Sequence, residues 1–156
     1  MNTATFDFVQ QGFINLLKNL PANAMGKWGK MNAQQMTEHV TVFFKVSSGK
    51  LHFDLVTPEA HLPKFKEFLL SEKEFRENTK APASVLGEDA LPLRYTHMNE
   101  AVAALQQSID EFMLYFNEDA GKTTLHPVFG PLNFEEWVLL HYKHTRHHAK
   151  QFGLLV

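Results

Sequence analysis

The chain has 156 residues, with 15 lysines and arginines against 17 aspartates and glutamates. Because the basic residues are scattered, the sequence lacks the basic patch that binds nucleic acid or an anionic membrane, and a small-molecule or protein partner is expected instead. The chain has no cysteine, which excludes disulfides, thiolate nucleophiles and sulfur ligands to a metal. Any metal site would therefore be built from nitrogen and oxygen ligands.

Length and hydropathy predict a single domain spanning residues 1–156. No segment reaches the roughly 18 apolar residues of a membrane span, and the N-terminus lacks a basic region followed by an apolar run. We therefore expect a soluble cytoplasmic protein that does not interact with membranes.

Two amphipathic helices are predicted in the first third of the chain. Apolar residues recur at helical spacing over residues 5–20, and a second helix over 33–48 begins at the N-cap residue Asn32 and ends at Gly49. His39 lies at the centre of the apolar face of the second helix. Because burying an unpaired imidazole is costly, we expect His39 to have a partner.

The segment from residue 50 to residue 97 contains no recognisable motif. It has a weakly alternating stretch over 50–56, typical of a strand, and a helix predicted from about 58 to 75. A loop follows, marked by Pro82, Gly87 and Pro92. We interpret this segment as a crossover that covers one end of a helical core.

Two more helices complete the chain. One is predicted over residues 99–117, and the last begins at Asn133 with a capping box to Glu136 and ends at Gly153. The inner face of the last helix is predicted to hold Phe134, Trp137, Leu140, His141, His144, His148 and Phe152. The same helical periodicity predicts outward positions for Glu135, Glu136, Lys143, Arg146 and Lys150, and it places His147 at the solvated border.

Three histidines form a candidate metal site. His144 and His148 lie one helical turn apart, and His39 would face them across the core. Three imidazoles leave a coordination position open for water or substrate, and the ion would lower the pKa of a bound water or thiol. The alternative is that these histidines are satisfied core residues of a structural dimer.

Three other residues are candidates for supporting roles. His141 also faces inward, where it could replace a ligand, act as a catalytic acid or base beside the metal, or pack in the core. Gln151 could bind a ligand imidazole or a substrate, and His126 either stabilises a turn or lines the mouth of the pocket.

Other catalytic chemistries lack their motifs. The sequence has no nucleophile elbow, no phosphate-binding glycine loop and no HExxH motif. The carboxylate-rich pattern of di-iron bundles is also absent, which leaves the histidine site as the chemistry to test.

Three segments together resemble a known family. WGKMNAQQMTEHV at 28–40, HPVFGPLNFEEW at 126–137 and HYKHTRHHAKQFGLL at 141–155 are similar to the DinB and YfiT-like superfamily of metal-dependent enzymes, in particular one of its bacterial branches. Many relatives have HHRGQ where this chain has HHAKQ, with Ala149 and Lys150 as the differences. Substrate contacts near this position therefore do not transfer from the family.

The resemblance implies an all-α four-helix bundle with long crossover connections, often dimeric. It also implies a divalent zinc or nickel ion held by His39, His144 and His148. Characterised relatives use low-molecular-weight thiols as cosubstrates, so a thiol-dependent S-transferase or a hydrolase acting on a small molecule is expected. The alternative is a non-catalytic bundle that binds a small ligand or a protein partner and has a vestigial or structural metal site.

Overall fold

The computed structural model describes residues 2–79, 91–119 and 121–156, which are mostly helical. The N-terminal helical segment consists of α1 (Thr3–Asp7), a π-helical turn (Phe8–Gly12) and α2 (Phe13–Leu17). The other helices are α3 (Ala33–Ser47), α4 (Leu62–Leu70, after a 3₁₀ turn at Glu59–His61), α5 (Met98–Asn117) and α6 (Phe134–Gln151). Within these described helices, none combines the length and the apolar character needed to cross a membrane.

The two helices that carry the candidate metal ligands begin at the predicted N-cap residues, and each begins with a capping box. At α3, the side chain of Asn32 accepts a hydrogen bond from the Gln35 amide at 2.8 Å, and the Gln35 side chain accepts one from the Asn32 amide at 2.9 Å. Asn133 and Glu136 make the same reciprocal pair at the start of α6. Each box satisfies two backbone donors that a helix leaves unpaired, which defines where these helices begin.

The core forms where the N-terminal segment, α3, α5 and α6 pack together. Its largest fully buried side chains include Phe13, Phe44, Phe112 and Trp137. Burying one such side chain contributes about 1.5–3 kcal/mol of hydrophobic free energy, so these contacts are a major part of the folding free energy.

The prediction of an all-α fold is wrong in one detail, because a short β-hairpin precedes α6. Strands β1 (Thr124–His126) and β2 (Gly130–Leu132) are antiparallel, with His126 opposite Gly130. Gly130 has φ of +81°, a conformation that glycine adopts without strain. Strands of three residues are too short to produce a recognisable alternation in the sequence, so the sequence pattern indicated no strand here.

The middle segment differs from its prediction in two places. Residues 50–56 form no strand, and the helix predicted over 58–75 is confined to the 3₁₀ turn and α4. Pro82 and Gly87 lie outside the described residues. Helix α4 packs against α6, so this part of the crossover covers the helix that carries two candidate ligands.

Candidate metal centre

His39, His144 and His148 converge on one point between α3 and α6. The Nε2 atom of His144 lies 3.1 Å from that of His39 and 3.0 Å from that of His148. One nitrogen from each ring lies within 4.8 Å of the other two. Two nitrogens bound to one ion at 2.0–2.1 Å lie about 2.9–3.4 Å apart, so the three histidines could hold a metal ion.

Gln151 determines which nitrogen of His148 carries the proton. Its Nε2 donates to the carbonyl oxygen of Trp28 at 2.9 Å, so its Oε1 is the atom 2.7 Å from His148 Nδ1. An amide oxygen only accepts, so His148 Nδ1 is the donor and the Nε2 of the neutral ring has a free lone pair. That lone pair is directed at the other two histidines.

The turn before α3 holds Gln151 in place. Gly29 has φ of +81°, and a Cβ atom there would lie 2.8 Å from Gln151 Nε2, while one at Gly26 would lie 2.9 Å from Gln151 Cγ. Nothing larger than glycine fits at these two positions unless Gln151 moves. No local sequence pattern indicates this role, because only the fold brings residues 26–29 against the end of α6.

Burial keeps the three imidazoles neutral. Desolvation, followed by the charge of His147, lowers the pKa of His39 to about 4. Burial also holds the pKa values of His144 and His148 well below the ordinary value, and the neighbouring histidines add to the effect. At neutral pH each ring therefore has a lone pair available, as a metal ligand requires.

The proton count at these nitrogens fits a cation. His148 Nε2 is an acceptor, so the 3.0 Å contact with His144 is a hydrogen bond only if His144 Nε2 carries a proton. His39 Nε2 also lies 3.1 Å from that atom, and the single proton cannot make a good hydrogen bond to both neighbours. A divalent ion satisfies three lone pairs at once, and a donor set of imidazole nitrogens suits zinc or nickel.

The three histidines open onto a cavity of about 1050 Å³. Most of its wall is apolar and includes Trp28, Val42, Phe43, Phe65, Phe75 and Phe129. Glu38 also lines it, and its carboxylate accepts hydrogen bonds from the Arg94 amide at 2.6 Å and from Gln34 Nε2 at 3.1 Å. A cavity of this size and character is typical of a site for an apolar small molecule.

His141 lies in the core beside this site. Its Nε2 is 2.9 Å from the Ser47 hydroxyl, which itself donates to the carbonyl oxygen of Phe44 at 2.8 Å, so His141 is the donor of the pair. Its ring stacks on Phe44 with centroids 3.8 Å apart. His141 is therefore packed in the core, but it also lines the cavity, and its role in catalysis stays a prediction.

His126 both stabilises the hairpin turn and lines the cavity. Its Nδ1 accepts hydrogen bonds from the amides of Val128 at 3.0 Å and Phe129 at 3.2 Å. Burial lowers the pKa of His126 to about 3. The ring is therefore neutral over the ordinary pH range, with its proton on Nε2.

The low pKa of His126 predicts acid sensitivity of the metal-free protein. In the unfolded chain the imidazole has a pKa near 6.5, so below that pH the unfolded state binds a proton that the folded state excludes. The stabilisation is complete above pH 6.5 and is lost as the pH falls towards 3. Between pH 6 and pH 4, we expect the titration of His126 to lower the free energy of unfolding by about 1.4 kcal/mol per pH unit, as measured by urea unfolding.

His126→Asn is the matched variant, because an asparagine oxygen can accept the two backbone amides and does not titrate. Its stability should fall less steeply with decreasing pH than that of the wild type. Equal slopes for the two proteins would contradict the prediction.

Two residues of α6 predicted to face solvent are buried. His147 is 9% exposed because Trp28 and Phe75 pack against its ring, with centroids 5.6 Å and 6.0 Å away. Lys143 is 8% exposed, and its Nζ donates to the carbonyl oxygens of Ser71 at 2.7 Å and Lys73. Both predictions were wrong because the segment after α4 covers a face that helical periodicity alone leaves open.

Lys143 should be important for stability. We expect Lys143→Ala to reduce the free energy of unfolding by about 1–3 kcal/mol, because the carbonyl oxygens of Ser71 and Lys73 lose their donor. Lys150→Ala is the control, since it removes a more exposed ion pair with Glu74 and should cost less than about 1 kcal/mol. If urea unfolding gives the same reduction in the free energy of unfolding for both variants, Lys143 stabilises the fold no more than an exposed residue does.

The comparisons with known proteins identify the family. No significant match was found among curated proteins or among solved structures. The family model of the DinB superfamily matches residues 5–152, which is nearly the whole chain and includes all three histidines. The chain therefore belongs to the DinB superfamily.

Proposed function

We propose that this protein is a metal-dependent enzyme that acts on an apolar small molecule, with His39, His144 and His148 as ligands of a zinc or nickel ion. The observation that carries the proposal is the convergence of three neutral imidazoles at the wall of a large apolar cavity. Membership of the DinB superfamily supports it. Gln151 would orient the His148 ring from behind, as residues that contact metal ligands commonly do.

Thiol-dependent S-transfer suits the site better than hydrolysis. Glu38 is the acidic residue among the described residues that line the cavity, and both of its carboxylate oxygens already accept hydrogen bonds. Among the residues that the structure describes, the site therefore offers no free carboxylate as a general base. A thiol is a stronger acid than water before it binds, so a divalent ion would hold a low-molecular-weight thiol in its deprotonated form more readily than it would deprotonate water, and S-transfer depends less on such a base. Overall, a thiol and an electrophile would give a thioether and the protonated leaving group.

The architecture and assembly implied by the family are part of the proposal. The N-terminal helical segment, α3, α5 and α6 would be the four helices of a single DinB-type bundle, and their mutual packing supports this assignment. A homodimer and a cytoplasmic location stay predictions. Sedimentation equilibrium at micromolar concentration would test the dimer.

The non-catalytic alternative predicts a closed site. A structural or vestigial metal site has its coordination positions filled by protein. Here the three nitrogens border a cavity of about 1050 Å³, which favours a site that receives a ligand.

Metal content and thiol transfer test the proposal together. Protein purified without a polyhistidine tag should contain, or take up, one zinc or nickel ion per chain. L-Cysteine and 1-chloro-2,4-dinitrobenzene, followed by absorbance of the thioether, would report S-transfer, and 4-nitrophenyl butyrate would report hydrolysis. We expect metal-dependent thioether formation that stops on chelation and returns with added zinc. Failure to bind either metal would overturn the proposal, and metal-dependent ester hydrolysis without S-transfer would replace the thiol reaction by hydrolysis.

A further inference from the structure

The indole N–H of Trp137 is a buried donor without an acceptor. Trp137 is 0% exposed and lines the cavity, and its Nε1 has no hydrogen-bond partner among the residues that the structure describes. Buried donors in folded proteins are almost always paired, so an unpaired one at a cavity wall suggests a missing ligand atom. Because Nε1 has almost no accessible surface, an acceptor would reach this orphan donor only if a bound molecule displaces neighbouring side chains of the cavity wall.

A second donor lies beside it. The Nδ1 atom of His126 accepts hydrogen bonds from two backbone amides, which leaves the ring proton on Nε2. His126 lines the same cavity, and its ring centroid is 5.5 Å from that of Trp137. Two neighbouring residues of the cavity wall therefore each carry a neutral N–H group, and that of Trp137 is unpaired among the described residues.

The surroundings of this donor pair select the kind of acceptor. Phe43 stacks on His126 and Phe129 contacts its edge, while His141 stacks on Trp137 and is itself neutral because burial holds its pKa well below the ordinary value. A carboxylate would lose its hydration here with no positive charge on the rings around the donor pair. A carbonyl oxygen is neutral and has two lone pairs, which matches two neutral donors in an apolar wall.

The donor pair lies close to the candidate metal centre. Phe43 contacts both His126 and His144, with ring centroids 5.7 Å and 5.1 Å away. A molecule held at the donor pair would extend past Phe43 towards the three converging nitrogens.

We propose that Trp137 and His126 form a carbonyl-binding subsite and that the substrate is an apolar molecule with a carbonyl group next to its reacting atom. The proposal rests on the proposed function for the identity of the reacting centre. The cavity and the two donors do not depend on a bound metal, so the subsite can be tested separately.

Nuclear magnetic resonance of the wild-type protein provides the test. The chain has two tryptophans, Trp28 and Trp137, so the indole region of a ¹H–¹⁵N spectrum has two signals, and a Trp28→Phe variant would assign them. The probes are benzophenone and diphenylmethane, which differ mainly in the carbonyl group. Benzophenone should move the Trp137 proton signal downfield, whereas diphenylmethane should not.

Affinities for the two probes provide a second measurement. One or two hydrogen bonds predict that benzophenone binds about threefold to tenfold more tightly than diphenylmethane. The two probes should bind Trp137→Phe with nearly equal affinity, because this variant lacks the N–H group and keeps an aromatic ring against His141. If that variant does not fold, the wild-type spectra decide alone.

Three results would overturn the subsite: an unchanged Trp137 signal with benzophenone, equal downfield shifts with both probes, or a long-lived water on the Trp137 proton that benzophenone does not displace. Spectra recorded with and without zinc separate the two proposals. Zinc binding without the carbonyl effect would refute the subsite alone, and the carbonyl effect without zinc binding would refute the metal-dependent function alone.

Discussion

Replacing His144 with alanine should lower the affinity for zinc by at least about 100-fold. His144 Nε2 is the central nitrogen of the three, lying 3.1 Å from that of His39 and 3.0 Å from that of His148. Residues that only support a metal ligand typically change the affinity 10–100-fold, so loss of a ligand should exceed that. Competition with a chromophoric chelator would measure the two dissociation constants.

The control is His52→Ala, because the side chain of His52 is 69% exposed and lies outside the cavity. It should bind zinc like the wild type. The metal-free His144→Ala protein should be about as stable as the metal-free wild type. In the wild type, a single proton on His144 Nε2 cannot make good hydrogen bonds to both His39 and His148, so the substitution removes no well-formed pair of hydrogen bonds. A large loss of stability together with unchanged zinc affinity would favour the satisfied-core alternative.

Gln151→Leu should weaken zinc binding about 10–100-fold, although Gln151 contacts a candidate ligand and is not one itself. The substitution leaves the Nδ1–H of His148 without its acceptor and the Trp28 carbonyl without its donor. The His148 ring then loses the contact that directs its Nε2 lone pair at the site. The same chelator competition would measure this change.

Gln107→Leu is the matched control, because it makes the same chemical change on the exposed face of α5. Zinc affinity should be unchanged in this variant. If Gln151→Leu and Gln107→Leu bind zinc equally well, the contact between Gln151 and His148 has no role in metal binding.

Local sequence patterns predicted the two helices that carry the histidines. Asn32 and Asn133 begin these helices through hydrogen bonds within four residues, and such short-range contacts can be recognised without the rest of the fold. The inward positions of His39, His144 and His148 followed from periodicity. Membership of the DinB superfamily was also predicted and is confirmed by the family model over residues 5–152.

The errors arose where distant segments cover a helix. Periodicity describes one helix at a time, so it placed Lys143 and His147 near solvent although the segment after α4 and the turn at Trp28 bury them. The hairpin at 124–132 depends on a cross-strand pairing of three residues, which is too short for a sequence pattern.

The sequence by itself determined which residue types were available for chemistry: imidazoles on two amphipathic helices, and no thiols. The tertiary structure alone decided that one nitrogen from each of the three rings meets the others within 4.8 Å, that the Trp28 carbonyl fixes which atom of Gln151 faces His148, and that an apolar cavity opens beside them. These features depend on contacts between residues more than 100 positions apart, such as His39 and His144 or Trp28 and Gln151. Local propensity carries no information about such distances, because they are set when the helices pack.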